Sequence, residues 1–311
     1  MVRRLSQLRP RLVFEAEDHP HVTELDATLA TFESLRGRLF GLAYRMLGSR
    51  ADAEDVVQDA YLRWHQADRA AIRTPEAWLV TTTTRLAIDR LRALRTVRDA
   101  YVGPWLPEPL VGQAGHAPDH AATLASDLSM AFLLVLERLA PEERAAFLLH
   151  DVFETGYADI ARMLGKTEAA CRQIVTRARQ RVRGDRQRFE ASHEARAKLT
   201  ESFAAAMAAR DETALLQLFT PDAVWMSDGG GVVHAAPRPL VGIDRVVRVV
   251  MGLQRLLTQR GRTVEPATVN GEPGLVLRDG ERLVATYAFD IDGDRISAVY
   301  VVLNPAKLPV G

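Results

Sequence analysis

The stretch YVGPWLPEPLVGQAGHAPDH, residues 101–120, constrains the chain more than any other. Proline removes a backbone donor and fixes φ, and glycine weakens helices, so no long helix crosses this segment. On either side lie tracts rich in Leu, Ala and Arg with few glycines, and both read as helical. A different pattern starts near residue 197. Two helical segments (198–210 and 212–219) lead into AVWMSDGGGVV, a helix follows at 242–257, and then come GLVLRDG, RLVATYAFDIDG and RISAVYVVLNP. Those runs are strand-like and are separated by DG and DGD turn signals. The expected organisation is a tail (1–26), a helical domain (27–98), a Pro/Gly-rich linker (99–122), a second helical domain (123–190) and an α+β domain (197–311).

A length of 311 residues suits two or three domains, and 47% hydrophobic with 26% charged residues describes an ordinary folded protein. No apolar run approaches the ~20 residues that span a bilayer, and the basic N-terminus lacks the apolar stretch of a signal peptide. The single cysteine, Cys171, excludes an intramolecular disulfide and an all-cysteine metal site. A cytoplasmic protein is the expectation. The net charge of zero hides a local excess: residues 162–188 hold nine basic residues against two acidic ones. Clustering of this kind points to a segment that meets a polyanion.

That segment contains TGYADIARMLGKTEAACRQIVTRARQRVR. In its first helix Tyr157, Ile160, Ala161 and Leu164 share an inward face. Gly165 suits the position that ends a helix, and Thr167 is a candidate N-cap for the next. In the second helix Cys171, Ile174, Val175, Ala178 and Val182 face inward, leaving Glu168, Arg172, Gln173, Thr176, Arg177, Arg179 and Arg181 outward. Two short helices about a glycine turn, the second basic on its outer face, match a DNA-reading helix-turn-helix. Arg172 and Gln173 can reach base edges, while Arg177 and Arg181 suit phosphates. A basic solvated helix in a bundle would show the same pattern.

In the first helical domain, SRADAEDVVQDAYLRWHQ puts Val57, Ala60, Tyr61 and Trp64 on an inward stripe. Asp52, Asp55 and Asp59 occupy a different face, flanked by Gln58 and Leu62. Like charges so arranged weaken a helix by a few tenths of a kcal/mol per pair, roughly, which a cationic partner surface would offset. The next helix starts at Thr74-Pro75, with proline at a favoured first position. Leu79, Thr83, Leu86, Ala87, Leu91 and Leu94 should face inward, and Thr81, Thr84, Arg85, Arg92 and Arg95 outward. Hydroxyls interleaved with arginines suit a nucleic-acid strand.

Together these segments resemble the bacterial sigma-70 family, extracytoplasmic-function group. FESLRGRLFGLAYRMLGSRADAEDVVQDAYLRW and TPEAWLVTTTTRLAIDRLRALR are similar to sigma region 2, and LAPEERAAFLLHDVFETGYADIARMLGKTEAACRQIVTRARQRVR to region 4. WLPEPL, DGGG and NPAKL resemble the subgroup with a fused C-terminal SnoaL-like domain. Two positions depart from that subgroup: Val232 stands where a lysine often follows the glycines, and Ala306 where an acidic residue often sits. The resemblance implies two all-α sigma domains and a cone-shaped α+β domain. It implies a transcription initiation factor that binds core RNA polymerase and promoter DNA, with no covalent chemistry and no cofactor. Asp52, Asp55, Gln58, Asp59 and Leu62 would dock on polymerase. Thr81, Thr84, Arg85 and Arg92 would hold the opened minus-10 strand. Thr167, Glu168, Arg172, Gln173, Thr176 and Arg177 would face the minus-35 major groove.

The C-terminal domain allows two readings. As an enzyme it would use Asp228 or His234 as acid or base, with Trp225 and Tyr287 as pocket walls. No second titratable group falls at a supporting spacing. As a regulator it would touch the sigma domains within the chain, where a short tether (184–198) gives a high effective concentration. The expected contact set is Trp105, Leu106 and Pro107 of the linker with Trp225, Asp228, Gly229, Gly230, Gly231, Asn304, Pro305 and Lys307. A phosphate-binding loop is excluded for SDGGGVV, since no Lys-Ser/Thr follows the glycines. Two alternatives remain open: a response-regulator-type protein in which the helix-turn-helix acts alone, and a ligand-sensing or enzymatic SnoaL-like module with DNA binding as its output.

Overall fold

A computed structural model describes residues 20–112, 128–186 and 191–309. Most of the expected N-terminal tail, linker residues 113–122, the start of the second helical segment (123–127) and 187–190 of the tether lie outside the described residues.

The first unit is built from α1 (Pro20–Leu47), α2 (Arg50–Gln66) and α3 (Pro75–Asp99). Gly48 ends α1 in the left-handed region, and a Cβ there would lie 2.7 Å from Trp105. Ser49 caps α2 by accepting a hydrogen bond from Asp52 N at 3.2 Å. The inward stripe of α2 is Ala53, Val56, Val57, Ala60 and Trp64, all buried, with Tyr61 half-buried beside them.

The second unit comprises α4 (Met130–Glu137), α5 (Pro141–Phe147), a π-turn at Leu148–Val152, α6 (Tyr157–Leu164) and α7 (Glu168–Arg186). Gly165 closes α6, and Thr167 accepts from Ala170 N at 3.2 Å to open α7. Cys171, Ile174, Val175, Ala178 and Val182 are all buried. The apolar interiors of the two helical units are continuous, running from Phe32 and Leu39 through Leu79 and Leu91 to Phe147 and Cys171.

This continuity corrects one expectation. Thr84, placed on the outer face of α3, is fully buried and its hydroxyl donates to Val80 O at 2.7 Å. α3 packs against α1 and α2 on one side and against α5 and α6 on the other. A helix buried on two sides has no single inward stripe, so Thr83, Thr84 and Ile88 are all covered.

The C-terminal unit contains α8 (His193–Ala209), α9 (Glu212–Leu218), β2 (Phe219–Asp228), β3 (Leu240–Val241), α10 (Ile243–Gln259), β4 (Thr263–Val269), β5 (Glu272–Asp279), β6 (Arg282–Asp292) and β7 (Arg295–Val302). The sheet order is β1-β4-β5-β6-β7-β2-β3, antiparallel except for the parallel β2–β7 pair. Its first strand, β1 (Val111–Gly112), comes from the linker and pairs Val111 with Val269.

Both faces of the sheet are apolar. One meets α8 and α10 through Phe203, Val250, Leu275, Tyr287 and Val299. The other meets Leu106 and Met130 through Val269, Val276, Ala288, Val302 and Leu308. Helices against one face of the sheet give the α+β form expected of a SnoaL-like domain, and its outer sheet face is covered by the linker and α4.

Candidate functional site: the linker junction and the nucleic-acid faces

The linker is held at two points. The first is Asp228, at the end of β2 and fully buried. Its carboxylate accepts from Tyr101 OH at 2.6 Å, Leu106 N at 2.9 Å, Gly230 N at 3.0 Å and Lys307 Nζ at 2.7 Å. Lys307 Nζ also donates to Leu106 O at 2.6 Å and lies 4.7 Å and 4.3 Å from the ring centroids of Tyr101 and Trp105. Asn304 Nδ2 donates to Tyr101 OH at 2.8 Å.

Burial pulls the Lys307 ammonium below its ordinary range, and the adjacent Asp228 carboxylate opposes that shift. Burial and then the bond to Asp228 push the Tyr101 phenol well above its usual value.

The three glycines that follow Asp228 have different reasons. A Cβ on Gly229 would overlap Val233 O within its own turn. One on Gly230 would overlap the Asn304 amide, and one on Gly231 would lie 3.2 Å from Val102 of the linker. Gly230 and Gly231 both have positive φ. The departures from the subgroup pattern are outside these contacts: Val232 is 77% exposed and Ala306 is exposed.

The second point is Asn270, in the two-residue Asn-Gly turn between β4 and β5. Asn270 has φ 54° and is buried. Its N–H donates to Leu110 O at 2.8 Å, and Leu110 N donates to its Oδ1 at 2.7 Å. Its Nδ2 donates to Tyr44 OH at 3.3 Å, and Tyr44 OH donates to Glu108 O at 2.5 Å. Burial raises the Tyr44 phenol far above its ordinary value. Glu108 in turn accepts from Arg50 N at 2.7 Å and Ser49 Oγ at 3.3 Å, at the start of α2.

Trp105 fills the space between the two points. Its ring packs on Arg98, with the guanidinium carbon 3.9 Å from the ring centroid, and faces Gly48. Pro107 is buried beside Gly48 as well.

Two members of the expected contact set lie elsewhere. Trp225 is on the opposite face of β2 from Asp228 and packs inside the domain, 6.2 Å from Tyr287. Residues three apart in a strand point to opposite faces, so Trp225 cannot share the Asp228 junction. Pro305 is exposed and only opens the 3₁₀ turn that presents Asn304 and Lys307. Conversely, the sequence marks no contact role for Tyr44, Tyr101 or Asn270, and marks Glu108 only as part of WLPEPL. The Asn270-Gly271 pair was the one signal available, as a type I′ hairpin turn.

On α2, Asp55, Gln58, Asp59 and Leu62 are exposed, Leu62 by 47%. Asp52 is half-buried and accepts from Arg90 Nε and Nη2 of α3 at 2.8 Å and 2.6 Å.

On α3, Thr81 is half-buried with its hydroxyl donating to Ala77 O. Arg85 donates to Met163 O at 3.1 Å, and Arg92 pairs with Glu142 at 2.7 Å, so both reach the second helical unit. On α6–α7, Thr167, Glu168, Arg172, Gln173, Thr176 and Arg177 are all exposed. Arg172 pairs with Glu168 at 3.1 Å and lies over the Tyr157 ring.

Among the described residues no cluster of three His, Cys, Asp or Glu side chains could hold a metal ion, and no helix is long and apolar enough to cross a membrane.

Comparison with known proteins agrees with this arrangement. Residues 31–96 match the model for sigma-70 region 2, and residues 129–182 that for sigma-70, region 4. The chain is 39% identical over 289 residues to the ECF RNA polymerase sigma factor SigJ of Mycobacterium tuberculosis, covering 90% of this chain and 92% of that protein. It is 28% identical over 290 residues to the probable ECF RNA polymerase sigma factor SigI of the same species, covering 92% of this chain and 97% of that one. The crystal structure of M. tuberculosis SigJ superposes with a TM-score of 0.73 at 37% identity, over 90% of this chain and 97% of that chain.

Proposed function

The chain belongs to the extracytoplasmic-function group of the sigma-70 family and is a transcription initiation factor, and on that premise we propose that its C-terminal domain controls it in cis by holding the linker. Such a factor binds core RNA polymerase and promoter DNA. The exposed face of α2, with Asp55, Gln58, Asp59 and Leu62, is the docking surface for polymerase, with Asp52 at its edge. Thr81, Arg85 and Arg92 of α3 receive the opened minus-10 strand. Thr167, Glu168, Arg172, Gln173, Thr176 and Arg177 face the minus-35 groove.

The observation that carries control in cis is the burial of Asp228 under the linker. A carboxylate accepting from Tyr101, Leu106, Gly230 and Lys307 is a closure device with its bonding capacity in use. It has none to offer a substrate proton, which favours a regulatory domain over a catalytic one. The bonds of Arg85 and Arg92 to region 4 favour the same reading, because two groups that would meet DNA are held by another part of the protein. Activity in this reading needs no cofactor and takes place in the cytoplasm.

The test is binding to core polymerase and run-off transcription by the full chain and two variants. Asp55→Lys/Asp59→Lys should weaken polymerase binding, and Asp228→Ala should change transcription without abolishing polymerase binding. Unchanged binding by the first refutes the docking surface. Unchanged transcription by the second refutes control in cis.

A further inference from the structure

We propose that the groove between α3 and α4–α5 is a binding site for a phosphate-bearing anion with two or more negative charges, present only while the two sigma units are closed together. The groove has a volume of about 580 Å³, within the usual span for small-molecule sites. Arg95, Arg98 and Asp99 enter from α3, and Glu137, Arg138, Glu143, Arg144 and Arg181 from the region 4 side. Buried Leu91 and Leu139 line it as well.

Five guanidinium groups meet three carboxylates there. Glu137 is shared, pairing with both Arg98 and Arg144. Glu143 pairs with Arg181 at 2.6 Å. Arg95 is exposed and has no hydrogen bond or ion pair among the described residues. Arg144 is 1% exposed, and its Nε is a buried donor without an acceptor.

Unpaired buried donors are uncommon in folded proteins and ask for an explanation. Burial lowers the pKa of Arg144, the paired Glu137 carboxylate opposes that shift, and the nearby Arg98 charge adds to it to a smaller extent. Five guanidinium groups against three carboxylates leave the lining with a positive surplus, and the groove suits an anion. Guanidinium groups match phosphate oxygens bidentately, and several converging forks favour a group with more than one anionic centre over a single carboxylate.

The walls belong to different sigma units, so an anion seated here would bind the closed form and not the open one. By mass action it would multiply the ratio of closed to open form by one plus its concentration over its dissociation constant. The proposal does not rest on the C-terminal domain having a regulatory role.

The phosphate could come from a free polyphosphate-type anion or from a nucleic-acid backbone, and the experiment separates the two. Inorganic pyrophosphate is titrated calorimetrically into the full chain at constant ionic strength, alongside a short duplex DNA. The expected result is one pyrophosphate per chain and a rise in Tm. Arg95→Glu should weaken pyrophosphate at least about tenfold by charge reversal in the groove. Arg248→Glu, in a separate basic groove beside α10, should bind as the parent does. Arg95→Gln, a neutral change at an exposed site, should weaken binding in the same direction by less. Sodium chloride of equal ionic strength reproducing the effect overturns the proposal, as does equal binding by Arg95→Glu. Duplex DNA responding to Arg95→Glu while pyrophosphate gives no titration also overturns it, since the phosphate would then belong to DNA.

Discussion

Replacing Asp228 with alanine should open the linker without unfolding the C-terminal domain. The side chain accepts from Tyr101, Leu106, Gly230 and Lys307, and three of these donors lie on the far side of the junction or in the turn that closes it. Leu106 is fully buried, and its N–H would lose its acceptor, at a cost of about 1–3 kcal/mol. Breaking a buried ion pair by removing one partner costs about 3–5 kcal/mol. Lys307 keeps its bond to Leu106 O and its two aromatic neighbours, and its side chain is 12% exposed, so it can turn toward water. A working total is therefore about 3 kcal/mol, nearer the lower limit for a buried pair. Once the linker lifts, Asp228 in the parent protein is solvated, so this loss falls on closure and not on folding. At about 1.4 kcal/mol per factor of ten, the open fraction should rise about a hundredfold.

The assay is hydrogen exchange read on the peptide covering 101–110, with peptides from β5 and β6 as an internal check on the C-terminal core. The double variant Asp228→Ala/Lys307→Met should be no more open than Asp228→Ala alone, because the ammonium left without its partner is gone. If the linker peptide of Asp228→Ala exchanges within about threefold of the parent, local opening is not governed by this carboxylate and the reasoning fails.

Gly230→Ala should separate Asn304 from Tyr101, since the added Cβ would overlap the Asn304 amide, and the φ of 61° adds about 1–2 kcal/mol of strain for a residue with a Cβ; unchanged exchange across the linker would count against this. Gly229→Ala should instead lower the Tm of the C-terminal domain, because the added methyl meets that domain's own backbone. Arg85→Ala removes the bonds to region 4 carbonyls and should loosen the sigma 2–sigma 4 seam by about 1 kcal/mol, visible as a larger radius of gyration in scattering. On minus-35 duplexes, Arg172→Ala or Gln173→Ala should cost about 1–3 kcal/mol on the preferred sequence and relax base preference. Arg177→Ala should weaken all sequences alike and reduce the salt slope by about one. Alkali should release the linker. Tyr44 and Tyr101 have phenol pKa values raised in the closed form, so the stability they contribute is full below about pH 10 and is lost as pH climbs through the raised values. Tyrosinate absorbance and Trp105 emission should change together there, and emission that stays constant while the phenols ionise would refute the link.

How far the sequence could be read depended on how many sides of each element are covered. α7 is covered on one side, and its buried set of Cys171, Ile174, Val175, Ala178 and Val182 follows the helical period. α3 is covered on two, and for that reason Thr84 is buried where a single inward stripe would leave it outside. β4 lies outside the strand-like runs expected from the sequence and carries Pro266, which is tolerated where β1 reaches only Thr268 and Val269 and leaves that edge unpaired. In β6 an unbroken buried run from Ala285 to Ile291 replaces alternation, because the linker and α4 cover the outer face.

The junction shows the limit most clearly. Asp228, Gly230, Gly231, Asn304 and Lys307 could be grouped from their motifs, yet nothing local pairs Asp228 with Tyr101, or Asn270 with Tyr44, across such distances in the chain. The position of Trp225 was decidable, since strand parity alone separates it from Asp228. What the structure adds is chemistry at the seam. The apolar contacts of Leu106 with the sheet favour closure without direction, whereas Asp228, Lys307, Tyr101 and Asn270 specify one register. Polar groups that are fully bonded when closed and readily hydrated when open make closure specific while lowering its net strength. That combination suits a linker that must be held in one place and still let go.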